Sequence, residues 1–381
     1  MSPSLSAGLE AVAIAVPECI LDNDHWRRHH PSLVAQAEQR IWMWKRPLHR
    51  PTAPGAFDLE MEPYLDDPFR GARQRRVLGP EQSALTLEAA AARDALAAAE
   101  LSIDDVDGLI CTSFLPDSHG IGGAAFLARE LGLRGAAWNL ESACSSTVVA
   151  LQTAASLVAG GQFRRMLVVT SCTYSRATRE DDPIAWGIGD AATAMLVAAT
   201  PGAGVLATHV AHTADTCEAV AYHLEAEAGG ALGLRMRTSR HAARLLRETS
   251  ERYLGTCVNG ALDAAGIALD EVDHFVFNTP LAWYARFCAR SLGIDPAKTL
   301  SVYPLYANVG PCLPGLNLLH AAHWNGIHRG QTVVLYSVGS VSSCAATVLR
   351  WGDVALGALP EGVSPELLHM LEHGAPLSAV A

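Results

Sequence analysis

The sequence contains no apolar run long enough to cross a membrane. Half of its 381 residues are hydrophobic, yet no stretch approaches the ~18–20 consecutive apolar residues that a membrane span needs. The N-terminus also lacks a basic region followed by an apolar run, the pattern of a secretory signal. We therefore expect a cytoplasmic protein that has no membrane as a partner.

Paired cysteines and an excess of positive charge are missing as well. The nine cysteines are scattered, and none stands in a CxxC or Cys/His spacing typical of a zinc site. This pattern predicts reduced thiols rather than disulfides, and no metal centre. The formal net charge is −11, whereas proteins that bind nucleic acids are normally basic. We therefore do not expect a nucleic acid as a partner.

The sequence does contain a repeated alternation of short apolar strands and helices. This rhythm predicts an α/β protein whose mostly parallel sheet carries helices on its faces. An acidic segment leads into a strand twice, at residues 103–110 and again at residues 269–276. The similarity of the two segments indicates an internal duplication.

The length is sufficient for two domains or one duplicated domain. We predict an N-terminal half at residues 1–200, a C-terminal half at residues 201–351 and a tail at residues 352–381. Residues 46–76 are rich in Pro and Arg without a clear period, so we predict a capping loop there.

Residues 141–147, Glu-Ser-Ala-Cys-Ser-Ser-Thr, form the most informative stretch. An apolar strand-like segment precedes them and a small-residue helical pattern follows, which predicts a strand, a tight elbow and a helix. Cys144 would then lie at the helix N-terminus, where free N–H groups and the helix dipole favour a thiolate. A thiolate is the nucleophile that an acyl-enzyme needs. The alternative is that Cys144 is a small buried residue, as most free cysteines are.

Over residues 8–351 the chain resembles the thiolase-fold condensing enzymes, and among them the β-ketoacyl-acyl carrier protein synthase III group with its acyltransferase relatives. The resemblance rests on the order and spacing of six motifs. These are Val16-Pro17-Glu18, Gly71-Ala72-Arg73-Gln74-Arg75-Arg76, Ser142-Ala143-Cys144-Ser145-Ser146, Gly187-Ile188-Gly189-Asp190-Ala191-Ala192, Tyr306-Ala307-Asn308 and Val338-Gly339-Ser340-Val341. The resemblance implies two similar halves in a five-layer αβαβα arrangement, usually in a homodimer.

The resemblance also assigns catalytic roles. It implies that Cys144 is the acylated nucleophile and that Asn308 is the family's asparagine. The backbone N–H groups of Cys144 and Ser340 fall at the positions of the oxyanion hole. The family's catalytic histidine falls on Asn278, which is the main departure from the pattern.

This departure bears on the reaction. Decarboxylation of a malonyl thioester needs donors aimed at the enolate oxygen. Asn278 can donate a hydrogen bond but cannot exchange a proton near neutral pH. We therefore predict an acyltransferase that passes an acyl group to an amine, hydroxyl or carrier thiol in specialised metabolism. A decarboxylative synthase with an Asn/Asn pair and a non-catalytic partner subunit remain alternatives.

A second departure concerns the acyl donor. In the family a Trp and an Arg sandwich the adenine of coenzyme A, and the matching positions here hold Leu65 and Phe69. An apolar pair cannot form that clamp, which favours the phosphopantetheine arm of an acyl carrier protein over acyl-CoA as donor. We expect no permanently bound cofactor. Arg286 and Arg290 share one helix face. We predict that they contact an acidic carrier helix, with Arg70 as a further donor-binding residue.

Overall fold

The computed structural model describes residues 6–44, 54–227 and 230–373. The strands are β1 (Ala7–Ala15), β2 (Cys19–Asp22), β3 (Gln74–Val77), β4 (Gly108–Phe114), β5 (Ala136–Asn139), β6 (Arg165–Thr173), β7 (Asp190–Ala199), β8 (Gly204–His212), β9 (Val220–Ala226), β10 (Leu232–Thr238), β11 (His274–Phe277), β12 (Thr332–Val338), β13 (Ser343–Arg350) and β14 (Ala355–Leu356). The helices are α1 (Asn23–His29), α2 (Pro31–Trp44), α3 (Ala56–Met61), α4 (Ala84–Ala98), α5 (Ala124–Leu131), α6 (Ser146–Ala159), α7 (Ala242–Ala265), α8 (Tyr284–Leu292), α9 (Tyr303–Tyr306), α10 (Leu313–Trp324) and α11 (Pro365–His373). Within the described ranges, none of these helices is long and apolar enough to cross a membrane.

Two main sheets form the framework. The first has the strand order β14-β1-β7-β6-β4-β5 and the second has the order β11-β12-β13-β8. Apart from β14, the first sheet is built from residues up to 199 and the second from residues 204 to 350. Two smaller pairs, β2 with β3 and β9 with β10, lie outside the main sheets.

Helices cover both sheets and fill the space between them. Helices α4 and α5 pack on the first sheet, and α7 and α8 pack against the second. Helices α6 and α10 contact both sheets. Most of α10 is buried, as expected for a helix that is apolar on every side. This arrangement confirms the predicted five-layer αβαβα fold.

The expectation of a mostly parallel sheet is wrong. The first sheet mixes three parallel pairs with two antiparallel ones, and the second has one parallel and two antiparallel pairs. Helices bury both faces of most strands in the two sheets, so parallel and antiparallel strands alike become continuous apolar runs. Such runs carry no signal that separates the two kinds of pairing.

Two segments that lie outside the predicted alternation of strands and helices are partly ordered. Within the predicted capping loop, residues 46–53 lie outside the described residues, and the remainder contains α3 and most of β3. In the tail, residues 374–381 lie outside the described residues, and α11 buries Leu368 and Leu371 in the main core. The tail therefore packs on the body through this helix.

Candidate functional site

The nucleophile elbow forms between β5 and α6, as predicted. A short 3-10 turn, Ala143–Ser145, follows β5 and continues directly into α6. Ala143 has φ of +50°, a left-handed conformation that costs roughly 1–2 kcal/mol for a residue with a Cβ. Among the hydrogen bonds that hold the turn, Glu141 Oε1 accepts from Ala143 N at 2.5 Å, and Ser146 Oγ donates to Ala143 O at 2.7 Å. These contacts fix Cys144 at the start of the helix.

The sulfur of Cys144 lies in a buried environment that favours the neutral thiol. Burial raises its pKa to about 11, and the charge of Glu141 adds to this rise. The hydroxyl of Tyr174, 3.7 Å from Cys144 Sγ, acts in the opposite direction. Loss of solvation therefore opposes the effect predicted for the helix N-terminus, which favours a thiolate. That effect stays a prediction.

Both predicted asparagines converge on one glycine near the nucleophile. Asn278 follows β11, and its Nδ2 donates to Gly310 O at 3.1 Å. Asn308 Oδ1 accepts from Gly310 N at 2.8 Å. Gly310 has φ of +55°, and a Cβ at this position would lie 3.1 Å from Tyr174 Oη. Asn278 and Asn308 therefore both bond a glycine whose backbone lies beside the hydroxyl of Tyr174, the residue that contacts Cys144 Sγ.

The side chain of Asn278 has one unsatisfied atom. The residue is fully buried, and its Oδ1 has no hydrogen-bond partner among the residues that the structure describes. A buried acceptor without a partner costs about 1–3 kcal/mol, so this oxygen needs a hydrogen-bond donor, which a bound ligand or a water molecule can supply. The side-chain amide itself has no proton to give or take near neutral pH.

The glycine-rich turn after β12 packs directly on the elbow. A Cβ on Gly339 would lie only 2.8 Å from Ser142 O, which explains the need for glycine here. The hydroxyl of Thr216 donates to Ser340 O and holds the turn. Ser340 follows Gly339 and so lies next to the elbow. Its role as an oxyanion donor together with the Cys144 N–H stays a prediction.

Two tyrosines of the site were not predicted. Tyr174 follows β6, and Tyr222 comes from the β9–β10 hairpin, which the sequence reading left unassigned. The rings of Tyr174 and Tyr222 meet Phe114 edge to face, with centroids 5.6 and 5.8 Å from it. Tyr222 Oη donates to Met236 Sδ at 3.4 Å. Apolar residues at every second position from 220 to 224 were the available signal for this hairpin.

Two of the three predicted donor-binding arginines lie together at a separate opening. Arg286 and Arg290 line a cavity of about 910 Å³ between α8, residues 60–73 and α11. Arg290 Nε pairs with Glu60 Oε1 at 2.5 Å. Arg70 is engaged within its own segment, since its Nη1 donates to Tyr64 O at 3.1 Å. Burial lowers the pKa of Arg70.

The positions that match the family's adenine clamp serve packing instead. Phe69 is 2% exposed, and its ring lies 4.9 Å from that of Trp186. A side chain buried in this way cannot stack on a nucleotide without leaving the core. Leu65 is half-buried and apolar.

Two duplicated α/β halves, with a cysteine on a strand-turn-helix elbow, are typical of the thiolase-like condensing enzymes. The fold agrees with FabH, the 3-oxoacyl-(acyl carrier protein) synthase III of Pseudomonas aeruginosa PAO1, at a TM-score of 0.74 and 20% identity, covering 93% of this chain and 100% of that chain. OleA of Xanthomonas campestris, solved with bound lauric acid and lauroyl-CoA, matches at a TM-score of 0.74 and 19% identity, covering 92% and 100%. At such identities the likeness establishes the fold.

Sequence comparisons identify the family. Residues 138–214 match the model of 3-oxoacyl-[acyl-carrier-protein] synthase III, and residues 262–351 match the model of its C-terminal part. The β-ketoacyl-[acyl-carrier-protein] synthase III of Gloeobacter violaceus is 31% identical over 290 residues, which cover 74% of this chain and 88% of the relative. That of Sinorhizobium medicae is 30% identical over 293 residues with the same coverage. The chain therefore belongs to the β-ketoacyl-[acyl-carrier-protein] synthase III family.

Proposed function

We propose that this family member is an acyltransferase of specialised metabolism that acts as a homodimer. Cys144 takes an acyl group from an acyl carrier protein or acyl-CoA and passes it to an amine, a hydroxyl or a carrier thiol. The names of its relatives indicate acyl carrier protein as a partner. The substrates of this proposal are acyl thioesters, and the reaction needs no resident cofactor.

The observation that carries the proposal is the state of Asn278. Its Nδ2 donates to Gly310 O, and its buried Oδ1 has no hydrogen-bond partner within the described part of the chain. An attacking amine or hydroxyl carries a proton that this oxygen accepts in a hydrogen bond. The oxygen of a malonyl enolate is itself an acceptor and requires a donor instead. Asn278 therefore suits a heteroatom acceptor better than a decarboxylating malonyl thioester.

The proposed transfer has two balanced steps. Cys144 Sγ attacks the donor carbonyl, the Cys144 and Ser340 N–H groups stabilise the oxyanion, and the bond from the carbonyl carbon to the donor sulfur breaks. The donor leaves as a thiol and takes up one proton for the one that Cys144 loses. The acceptor then attacks the carbonyl carbon of the acyl-enzyme, and the bond from that carbon to Cys144 Sγ breaks. The acceptor loses one proton in this step, and Cys144 regains one.

We further propose that the carrier docks at Arg286 and Arg290. The Arg290–Glu60 pair is half-exposed on the arginine side, whereas the Glu60 side chain is mostly buried. A guanidinium has five N–H donors, so the exposed side of Arg290 can bind a carboxylate of an acidic carrier helix while Glu60 stays paired. Arg70 is a weaker candidate, since its guanidinium already bonds Tyr64 O.

The test supplies acyl-loaded enzyme either with a labelled malonyl thioester or with a panel of amines and alcohols. We expect the acyl group to be transferred to a heteroatom. We expect carbon dioxide release to be at least about 10²-fold slower than with a histidine at position 278, since an acid–base group contributes about 10²–10⁴ in rate. Asn278→His supplies that comparison, and Cys144→Ala is the control for loading. Carbon dioxide release at full rate in the wild type would favour the decarboxylative alternative. If intact-mass analysis shows no acyl adduct on Cys144, the chain is a non-catalytic partner subunit.

A further inference from the structure

Tyr174 provides the one side-chain hydrogen bond to the Cys144 sulfur within the part of the chain that the structure describes. The residue begins a short 3-10 turn directly after β6, and its Oη lies 3.7 Å from Cys144 Sγ. Its side chain is 5% exposed. The contact joins residues that are 30 positions apart, so it depends on the packing of β6 against the elbow.

The surroundings of Tyr174 hold its hydroxyl in place. Phe114 packs edge to face on the ring at 5.6 Å. Gly310 leaves the space beside the hydroxyl open, because a Cβ there would lie 3.1 Å from Tyr174 Oη. Burial raises the pKa of Tyr174 well above its ordinary value. The phenol therefore stays protonated, so it is the partner that has a hydrogen to donate once the Cys144 sulfur ionises.

The charges near the sulfur show why such a donor matters. Asn278 stands where the family has a histidine, so no imidazolium lies at that position to favour a thiolate. Burial and the charge of Glu141 both raise the pKa of Cys144, and Tyr174 is the group that lowers it. Hydrogen bonds to a charged partner are about twice as strong as those between neutral groups. A phenol that donates to sulfur gains this strength when the sulfur ionises.

We propose that Tyr174 is a catalytic residue that stabilises the Cys144 thiolate by donating a hydrogen bond from Oη to Sγ. The inference rests on the proposed role of Cys144 as acyl carrier. The bond acts when the thiolate attacks the donor thioester and again when Cys144 departs as the leaving group. The phenol retains its proton in both steps. During acylation, the proton that the Cys144 thiol loses is balanced by the proton that the departing donor thiol takes up.

The test replaces the hydroxyl and follows the ionisation of Cys144. Tyr174→Phe keeps the ring against Phe114 and removes the donor. Peptide-resolved alkylation by iodoacetamide measures the Cys144 thiolate across pH. We expect alkylation at pH 8 to fall about 10- to 100-fold, from the usual strength of a hydrogen bond to a charged group, and the titration to move to higher pH. Tyr284→Phe removes a buried phenol from α8 and should leave the curve unchanged.

A second variant keeps the inference testable if Tyr174→Phe folds poorly. Replacing Tyr174 by 3-fluorotyrosine gives a more acidic phenol and a stronger donor, so alkylation of Cys144 should become faster at the same pH. Coincident titration curves for wild type, Tyr174→Phe and the fluorotyrosine protein would overturn the proposal. Alkylation needs neither acyl donor nor acceptor, so this result is independent of whether the proposed acyl transfer is correct.

Discussion

The ionisation of Cys144 gives the sharpest quantitative prediction. Burial raises its pKa to about 11, so about 0.1% of the thiol is ionised at pH 8 from the titration relation alone. The thiolate is the reactive form. The rate of Cys144 alkylation should therefore rise about tenfold per pH unit between pH 8 and pH 10. The rate of acyl loading, measured at a limiting concentration of the acyl donor, should rise in the same way. The rise should level off only near the pKa.

Two measurements check this pH dependence. Iodoacetamide alkylation is followed on the Cys144 peptide by mass spectrometry, with the exposed Cys19 and Cys217 as reference thiols in the same digest. Acyl loading from a short-chain thioester is followed by intact mass, and Cys144→Ala sets the background. A plateau below pH 9 in the alkylation curve would refute the reasoning. It would mean that the helix N-terminus and the hydrogen bond to sulfur together outweigh desolvation.

Three further predictions follow from contacts around the site. Glu141→Gln removes a negative charge that raises the pKa of Cys144, so alkylation at pH 8 should become several-fold faster on the scale of partly buried charges. Gly310→Ala adds a Cβ to a residue with φ of +55°. The free energy of unfolding measured in urea should fall by about 1–2 kcal/mol, and acyl loading should slow. The double variant Arg286→Glu, Arg290→Glu should slow transfer from an acyl carrier protein and weaken its dependence on salt.

Each of these variants has a control or a contradicting outcome. Reversal of Arg329, which pairs with Asp353 at the surface, should leave carrier-dependent transfer unchanged. Equal rates for wild type and the double variant at every salt concentration would remove Arg286 and Arg290 from the carrier interface. Slower alkylation in Glu141→Gln would show that the carboxylate acts mainly by bonding the Ala143 N–H. Unchanged stability in Gly310→Ala would show that the loop relaxes around the new methyl group.

Much of the fold could be predicted because it depends on local patterns. The apolar segments and the small-residue helix after Cys144 predicted the elbow, and the similar acidic segments at 103–110 and 269–276 predicted the duplication. The pairing direction of the strands could not be predicted, since sheets covered on both faces give the same apolar run in either direction. The hairpin that carries Tyr222 was missed although its period-two alternation is visible in the sequence.

The sequence by itself determined which groups are available for chemistry. It placed a cysteine on an elbow, and the resemblance predicts that Asn278, rather than a proton-transferring residue, occupies the position of the family's histidine. Only the tertiary structure decided the state of these groups. Burial sets the pKa of Cys144, β6 brings Tyr174 to its sulfur, and Gly310 joins Asn278 to Asn308. Desolvation and hydrogen bonding depend on atoms that are remote along the chain, so no local pattern encodes them.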